Sequence, residues 1–252
     1  MDEAKELVKK YWNNEPCGTG RIKHPECSLE YYEAMTERRN RFEPFIAKYA
    51  QFEKWKDKKV LEVGCGVGND LIRFVRAGAH VTGIDLTPKS VYLTNQRLSL
   101  YNYKAEVFEA DAENMPFEDN TFDLVYSWGV LHHTPDTEKA IREVRRVTKG
   151  EICVMLYHKH SLVALQMYIL FGLLALRPFR SLDDIFANCQ ESIGTKAYTV
   201  SEAQQMFSAF SELNVEPCLT PYDLRYGRDK HLPLSRFVPQ RFGFFMVIQG
   251  KK

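Results

Sequence analysis

From Lys59 onward, short continuous apolar runs alternate with segments whose apolar residues recur at helical spacing. The runs "VLEV" (60–63), "HVTGID" (80–85), "AEVFEAD" (105–111), "FDLVYSW" (122–128) and "EICVMLY" (151–157) predict five strands. "LNVEPCLT" and "FGFFMVIQG" predict two more. Strands alternating with helices are typical of an α/β fold. We therefore predict a doubly wound, seven-stranded, mostly parallel sheet with helices on both faces.

Helix boundaries are marked by capping residues. Thr87-Pro88 and Thr134-Pro135 each predict a helix start, with Thr as N-cap and Pro at the first helical position. Ser28 is a predicted N-cap in the N-terminal region, and Thr199 with Glu202 has capping-box spacing.

Three segments fall outside the alternation. Residues 1–58 are predicted to form a helical lid before a main domain at 59–252, while 158–198 and 220–241 are predicted insertions that cap the substrate. Long segments between regular elements commonly form lids or binding loops.

Composition narrows the function. The chain has 252 residues, 44% hydrophobic and 27% charged, with a formal net charge of +1, which disfavours a basic nucleic-acid footprint. Its charged start lacks a secretory apolar core, and six scattered cysteines are typical of a reduced protein, so a cytoplasmic location is expected. Cys17, His24 and Cys27 could surround zinc, but no second Cys pair at ligand spacing accompanies them, and no metal is predicted.

The run "LVALQMYILFGLLAL" (162–176) is the most apolar stretch of the chain. It is shorter than the roughly 20 residues of a membrane-spanning helix and contains Gln166. A buried or lid helix is the simpler interpretation. Weak contact with a membrane surface or a greasy substrate is the alternative.

The stretch "VLEVGCGVGND" places glycines at 64, 66 and 68 between a predicted strand and helix. Such a turn lets a ligand lie against bare backbone at a helix N-terminus. Asp85, about twenty residues later at the end of the next strand, is placed to accept hydrogen bonds from ribose hydroxyls. Strand, turn, helix, strand and acid in this order predict a nucleoside-like cofactor rather than a merely close-packed turn.

The spacing favours one class of cofactor. Dinucleotide sites prefer G-x-G-x-x-G and place a pyrophosphate at the helix end. Here G-x-G-x-G is followed by Asn69 and Asp70. A carboxylate in the first helical turn would repel a pyrophosphate and suit a cationic ligand.

These motifs, with "GIDLTPKS", "EADAENMPFEDNTFDLVYSWGVLHHTPD" and "GEICVMLY", resemble those of the class I S-adenosylmethionine-dependent methyltransferases, closest to the UbiE-like, type-11 group. The resemblance is strong over residues 58–157. It implies a Rossmann-like fold, S-adenosylmethionine as cofactor, S-adenosylhomocysteine as product and a small-molecule methyl acceptor.

The resemblance also implies cofactor-binding positions. The methionine moiety would meet Glu62 and the backbone of the glycine turn, Asp85 would hold the ribose, and Ser127 would offer backbone near the amino-acid end. Leu86 would pack on the adenine, Asp111 would accept from its amino group, and the Ala112 amide would donate to the ring. The full expected set is Glu62, Gly64, Cys65, Gly66, Gly68, Asp85, Leu86, Asp111, Ala112 and Ser127. Asp85 could instead be a simple helix-start acid, and Asp111 a turn residue.

Residues on the acceptor side are less strongly indicated. His132 and His133 follow the fourth predicted strand and are candidate general bases for a protonated acceptor. The alternative is that they only shape the loop. Trp12, Tyr31, Tyr32 and His158 are candidate substrate contacts. The apolar run 162–176 favours a partly apolar acceptor methylated at O, N or S.

Other function classes stay open at this stage. They are a protein or peptide side-chain methyltransferase, a cofactor-binding subunit without catalysis, and an NAD-dependent oxidoreductase. The acceptor and the oligomeric state are not indicated by the sequence.

Overall fold

The architecture comes from a computed structural model that describes residues 3–223, 225–226, 230–231 and 237–252. Predictions for the remainder of 220–241 lie outside the described residues. A seven-stranded sheet forms the centre of the molecule. Its strands are β1 (Lys59–Val63), β2 (His80–Asp85), β3 (Glu106–Glu109), β4 (Phe122–Trp128), β5 (Thr148–Tyr157), β6 (Ser211–Cys218) and β9 (Phe245–Lys251). A separate two-stranded sheet pairs β7 (Arg225–Tyr226) with β8 (Lys230–His231).

The strand order is β3-β2-β1-β4-β5-β9-β6. Strands β1 to β5 pair in parallel, whereas β9 lies antiparallel between β5 and β6. After β1 the chain adds β2 and β3 on one side, and it then returns to place β4 and β5 on the other side of β1. The strand order therefore reverses between β1 and β4. The predicted seven-stranded, mostly parallel α/β fold is confirmed.

Helices connect and cover the strands. Those of the main domain are α4 (Leu71–Arg76), α5 (Pro88–Leu100), α6 (Thr137–Val147), α7 (Leu162–Tyr168), α8 (Leu182–Cys189) and α9 (Val200–Met206). The N-terminal region forms α1 (Glu3–Asn14), α2 (Leu29–Phe42) and α3 (Ile46–Ala50). Short 3₁₀ turns occupy Thr19–Arg21, Phe52–Trp55, Leu131–His133 and Gln240–Phe242.

Two apolar layers sandwich the sheet because successive strand residues face opposite sides. In β1, Val60 belongs to the layer under α4, and Leu61 and Val63 belong to the layer under α6. The first layer also contains Ile46 and Trp55, so the end of the N-terminal region is part of the same core.

Most capping predictions are confirmed. Thr87 caps α5 by accepting from the Ser90 amide, Ser28 caps α2, and Thr199 with Glu202 forms a complete capping box on α9. The prediction at Thr134-Pro135 is wrong. Helix α6 begins at Thr137 because the Asp136 carboxylate accepts from the Lys139 amide, and the Thr134 hydroxyl instead donates to the Leu131 carbonyl.

The apolar run 162–176 forms α7, a π-helical turn at Ile169–Leu173 and the start of an exposed turn. Ala164 and Met167 are buried against the core, but Leu165, Leu170 and Leu174 are exposed. Within the described part of the chain, no helix is both long and apolar enough to cross a bilayer.

Candidate active site

A cavity of about 680 Å³ lies beyond the carboxyl ends of β1, β2, β3, β4 and β5. This is where open α/β sheets bind ligands, at the point where the strand order reverses. Segments after all five strands line it, and Lys5, Val8 and Trp12 of α1 and Val163 and Gln166 of α7 also contribute. The volume is in the range of small-molecule pockets.

The glycine turn forms the floor of the cavity. Gly64 and Gly66 have φ of +76° and +56°, values that residues with a Cβ rarely adopt. A Cβ on Gly64 would lie 2.2 Å from Cγ2 of Val130, so that position is closed by protein. A Cβ on Gly66 would meet no atom within 4 Å. The backbone at Gly66 is therefore bare toward open space, as a close-lying ligand requires.

Arg97 of α5 fixes this turn from below. Its guanidinium is almost fully buried and donates to the Val67 carbonyl and the Asn69 side chain at 3.1 and 2.7 Å. It also donates to Tyr32 and Thr36 of α2. One side chain thus ties the floor of the cavity to the N-terminal region.

Asp85 ends β2 and faces the turn. Its Oδ2 accepts from the Gly66 amide at 3.0 Å, and its Oδ1 accepts from the Thr87 amide and hydroxyl at 2.9 and 2.8 Å. Burial raises the pKa of Asp85, while these hydrogen bonds oppose the rise. Oδ2 has further acceptor capacity because it accepts only one of these bonds, and the residue lines the cavity.

Glu62 is a buried carboxylate without a partner for one oxygen. It is 4% exposed, lines the cavity, and its Oε2 has no hydrogen-bond partner among the described residues. Burial raises the pKa of Glu62 well above the ordinary value, and the negative charge of Asp70 raises it further. An orphaned buried acceptor of this kind fits a cationic group on a ligand.

Asp70, predicted to favour a cationic ligand, is neutralised by protein. Arg39 of α2 donates to Asp70 at 2.6 Å and to Glu43 at 2.8 Å. Tyr126 also donates to Asp70, and the Trp128 indole donates to Glu43. Although burial opposes its charge, the carboxylates of Asp70 and Glu43 hold the pKa of Arg39 well above the ordinary value. The network joins α2 to the ends of β4 and the glycine turn.

Asp111 lies at the cavity edge with both oxygens in use. Lys5 of α1 donates to its Oδ2 at 2.6 Å, and the Glu113 amide donates to its Oδ1 at 2.9 Å. Lys5 also donates to Glu113 at 2.7 Å. Helix α1 is therefore held across the adenine side of the predicted site by one lysine and two carboxylates.

The opposite side of the cavity is aromatic. Its wall consists of Trp128, Tyr157, Tyr222, Phe244 and Phe245. The Tyr157 ring stacks on Phe244 with centroids 4.2 Å apart, and Tyr222 contacts Phe245 at 5.7 Å. An apolar ligand surface would pack well here.

One polar cluster interrupts this wall. Glu191 Oε2 accepts from the Tyr157 hydroxyl at 2.7 Å and lies 3.3 Å from His133 Nε2. Although burial opposes it, contact with His133 and Tyr157 lowers the pKa of Glu191. The other His133 nitrogen, Nδ1, lies 3.0 Å from the Thr195 hydroxyl, and the Trp12 ring packs edgewise on the imidazole. His133 is therefore fixed at a cavity wall beside a carboxylate.

Comparison with known proteins identifies the domain that forms this rim. Residues 60–151 match the family model described as "Methyltransferase domain". The sterol 24-C-methyltransferase ERG6B of Gibberella zeae is 35% identical over 129 residues, 49% of this chain and 33% of that protein. Tocopherol O-methyltransferase of Arabidopsis thaliana is 36% identical over 118 residues, 44% of this chain and 34% of that protein. These matches indicate a class I S-adenosylmethionine-dependent methyltransferase domain over residues 60–151.

Solved structures agree in fold with this methyltransferase domain. Magnesium protoporphyrin IX methyltransferase (ChlM) from Synechocystis PCC 6803 with bound SAH gives a TM-score of 0.61 at 14% identity, covering 98% of this chain and 99% of that one. The chain spans about a third of the length of the two curated relatives. The orphaned Glu62 oxygen and the open space above Gly66 fit S-adenosylmethionine, the cofactor of the family.

The structure brings most of the predicted cofactor residues together. Those lining the cavity are Glu62, Gly64, Cys65, Gly66, Asp85, Leu86, Asp111 and Ala112. Gly68 and Ser127 do not line it. The Gly68 amide closes the turn by donating a hydrogen bond to the Cys65 carbonyl. The Ser127 hydroxyl donates to the Val63 carbonyl inside the sheet. The rim starts one residue later than predicted after β4, at Trp128 and Gly129.

Four predicted acceptor-side residues are buried outside the cavity lining. His132 has no exposed surface and lies behind Tyr157, with ring centroids 3.9 Å apart, and burial lowers its pKa well below the ordinary value. Tyr31 and Tyr32 pack against Val67 and Leu93, and His158 contacts the Gly243 carbonyl. None of the four is part of the cavity lining, whereas Trp12 and His133 are.

Sequence reasoning missed Glu191, Arg39, Glu43 and Lys5. Glu191 lies in a loop after α8 and has a positive φ of 47°, and nothing in the local sequence marks it. Lys5 and Arg39 lie in helices of the N-terminal region and Glu43 directly follows α2, positions where a charge is ordinarily assigned to solvent. Among the described residues, no group of three His, Cys, Asp or Glu side chains could hold a metal ion.

Proposed function

We propose that the chain transfers a methyl group from S-adenosylmethionine to O, N or S of a small, partly apolar acceptor. The observation that carries this proposal is one cavity with two unlike ends. Glu62, Gly66 and Asp85 form a polar end suited to the cofactor, while Trp128 and Phe244 belong to an aromatic end suited to an acceptor.

Residues at the cofactor end would position the bound group. Glu62 would accept from its ammonium, Asp85 from the ribose hydroxyls, and the Gly66 backbone would lie against it. Asp111 would accept from the adenine at a lone pair that Lys5 and the Glu113 amide leave unused. S-adenosylmethionine supplies an activated methyl on a cationic sulfur, so much of the barrier can be removed by positioning the acceptor and excluding water.

The residues at the acceptor end would orient the acceptor and receive its proton. As the acceptor–carbon bond forms and the carbon–sulfur bond breaks, the electron pair of the broken bond stays on sulfur. An acceptor that enters as a hydroxyl, thiol or ammonium also loses a proton, and the His133–Glu191 pair at the cavity wall is the base that we assign. An acceptor that enters without that proton needs no base.

The acceptor class has independent support. The relatives compared above are named for a sterol and for tocopherol, both lipophilic small molecules. The aromatic wall would pack against such a ligand. We also infer that 1–58, 158–198 and the described part of 220–241 form the acceptor cap on domain 59–252, and that segment 162–176 contacts a membrane surface.

We infer a reducing compartment, the cytoplasm. All six cysteines are free, and Cys65, Cys153 and Cys218 are buried inside the fold, where a disulfide partner could not reach them without rearrangement.

Labelled-methyl transfer tests the proposal. The purified chain is incubated with methyl-labelled S-adenosylmethionine and fractionated extract. The labelled products are then identified by mass spectrometry. A labelled small lipophilic molecule is expected. A labelled protein band would point instead to side-chain methylation, and absence of label despite tight cofactor binding would point to a non-catalytic subunit.

A further inference from the structure

Residues 162–179, here called the apolar shelf, expose large apolar side chains that no other part of the described chain covers. Leu174, Leu176 and Phe179 are 71%, 89% and 100% exposed. Five more large apolar residues in the same segment are at least a third exposed: Leu165, Ile169, Leu170, Phe171 and Leu173. Single exposed apolar residues are ordinary, but a contiguous set of this size marks an interaction surface.

The outer turn of the shelf is an ordered structure. The Arg177 amide donates to the Gly172 carbonyl at 2.7 Å, and the Tyr168 hydroxyl donates to the Pro178 carbonyl at 2.7 Å. Leu176 has a φ of +57°, an unfavourable backbone conformation for a leucine. The turn thus presents Leu176 and Phe179 outward at a cost in backbone energy.

The charges of this segment favour a particular partner. Between Ser161 and Ser181 the only ionisable acid or base side chains besides Tyr168 are Arg177 and Arg180, and no acidic residue is present. Arg177 is exposed beside the apolar residues, whereas Arg180 pairs with Asp184. Apolar side chains flanked by cationic ones are the composition of segments that lie in the interface of anionic bilayers.

The inner side of the same helix faces the cavity. Val163 and Gln166 of α7 line the cavity, and Gln166 donates to the Asp223 carbonyl at 3.2 Å. Leu165 and Ile169, on the same stretch, point to solvent. Helix α7 therefore lies between the outer apolar surface and the acceptor end of the cavity, with one face toward each.

We propose that the apolar shelf docks on the surface of an anionic lipid bilayer, with Leu174, Leu176 and Phe179 inserted among the acyl chains and Arg177 at the headgroups. Docked in this way, the shelf places α7 between bilayer and cavity, so that a lipophilic acceptor enters along α7 without crossing water. This second part rests on the proposed function, and the docking itself does not.

Vesicle flotation of the 252-residue chain tests the docking. The probes are phosphatidylcholine vesicles with and without about a third phosphatidylglycerol. The wild-type chain is expected to float with the anionic vesicles and more weakly with the neutral ones. The double variant Leu176→Asn/Phe179→Ser should bind at least about tenfold more weakly to both, since two inserted side chains are removed.

Two further variants separate the contributions. Asn tolerates the backbone conformation at 176, so the double variant is expected to fold. The control Leu100→Asn/Tyr92→Ser removes two apolar side chains that are 43% and 50% exposed on α5, and it should float like wild type. Arg177→Glu should bind about fivefold or more weakly to the anionic vesicles and be nearly unchanged on neutral ones.

Any of three outcomes would overturn the docking proposal. They are no flotation of the wild-type chain, equal loss in the α5 control, or a wild-type dimer that the shelf variant converts to a monomer without any vesicle binding. Calorimetry with S-adenosylhomocysteine on the same variants keeps the two proposals apart. If the wild-type chain does not bind S-adenosylhomocysteine, the proposed function is contradicted, but the flotation result still stands.

Discussion

The cofactor end of the cavity and the cap that we propose above it are built by different means. At the cofactor end, short loops after parallel strands place Gly66 and Asp85 by local backbone geometry and a few hydrogen bonds. In the cap, segments distant in sequence are held by ion pairs, such as Arg39 to Asp70 and Lys5 to Asp111. The methyltransferase-domain match covers the first region and leaves out most of the second. A common cofactor site can thus be combined with a specific cap.

The largest expected effect comes from removing Arg39. Arg39→Met would leave the nearly buried carboxylate of Glu43 without its cation, and that of Asp70 with only Arg73 at 3.6 Å. Breaking a buried ion pair from one side costs about 3–5 kcal/mol of unfolding free energy. Urea denaturation should show this loss, while Arg76→Met, an exposed arginine on α4, should change stability by less than about 0.5 kcal/mol. Equal stability of the two variants would mean that the cap is not anchored through this network.

The same contrast explains what the sequence could predict. The strands, the capping of α5 at Thr87 and the glycine turn depend on neighbouring residues, so local patterns indicated them. The burial of Tyr32 depends on a distant partner, because its hydroxyl donates to the Leu93 carbonyl. Glu191 reaches His133 only because the chain folds back after α8. Aromatic residues near a predicted lid therefore gave no information on which of them faces the cavity.

Glu62 should make cofactor binding depend on pH. The free carboxyl has a raised pKa, and a bound ammonium favours its ionised form, so binding of S-adenosylhomocysteine should release protons and tighten as pH rises through that value. Glu62→Gln should weaken binding about tenfold to hundredfold, from the loss of one charge-assisted hydrogen bond, and flatten the pH profile. Calorimetry across pH measures both.

Glu62 should also make the stability of the free protein depend on pH. Whereas cofactor binding tightens as pH rises, the free energy of unfolding of the free protein should fall. Because the folded-state pKa is raised, the folded chain holds a proton that the unfolded chain loses above about 4.3. Stability of the wild-type chain therefore falls as pH rises from there through the raised value, and the variant should lack this fall. Thermal unfolding of both proteins at several pH values checks it. Parallel curves would contradict the burial argument.

A pair of glycine substitutions distinguishes packing from ligand access. Gly66→Ala should cost about 1–2 kcal/mol of stability, from the left-handed backbone alone. Its methyl would project into the cofactor space and weaken S-adenosylhomocysteine binding at least about tenfold, or 1.4 kcal/mol. Gly64→Ala adds a clash with Val130 and should lose more stability. Equal stability losses in the two variants would show that the space above Gly66 is not open.

The smallest expected effect is on α1. Lys5→Met removes the ion pairs of Lys5 to Asp111 and Glu113. Helix α1 can then move away from the rest of the protein, so that both carboxylates become solvated. The change should therefore appear as local opening, with hydrogen exchange of the α1 amides faster by about tenfold and little change in global stability. Lys10→Met, an exposed lysine on the same helix, is the control. Unchanged hydrogen exchange of the α1 amides in Lys5→Met would contradict the claim that Lys5 holds α1 against the main domain.

Calorimetric titration with S-adenosylhomocysteine of the wild-type chain, Asp85→Ala and Asp123→Ala tests the central claim most directly. Asp123 is a carboxylate at the amino end of β4, away from the cavity, where it accepts from the Lys59 amide. We predict binding by the wild type and by Asp123→Ala, and at least about tenfold weaker binding by Asp85→Ala, because charged hydrogen bonds contribute about 1.5–3 kcal/mol each. No binding by the wild-type chain, or equal binding by all three proteins, would contradict the account.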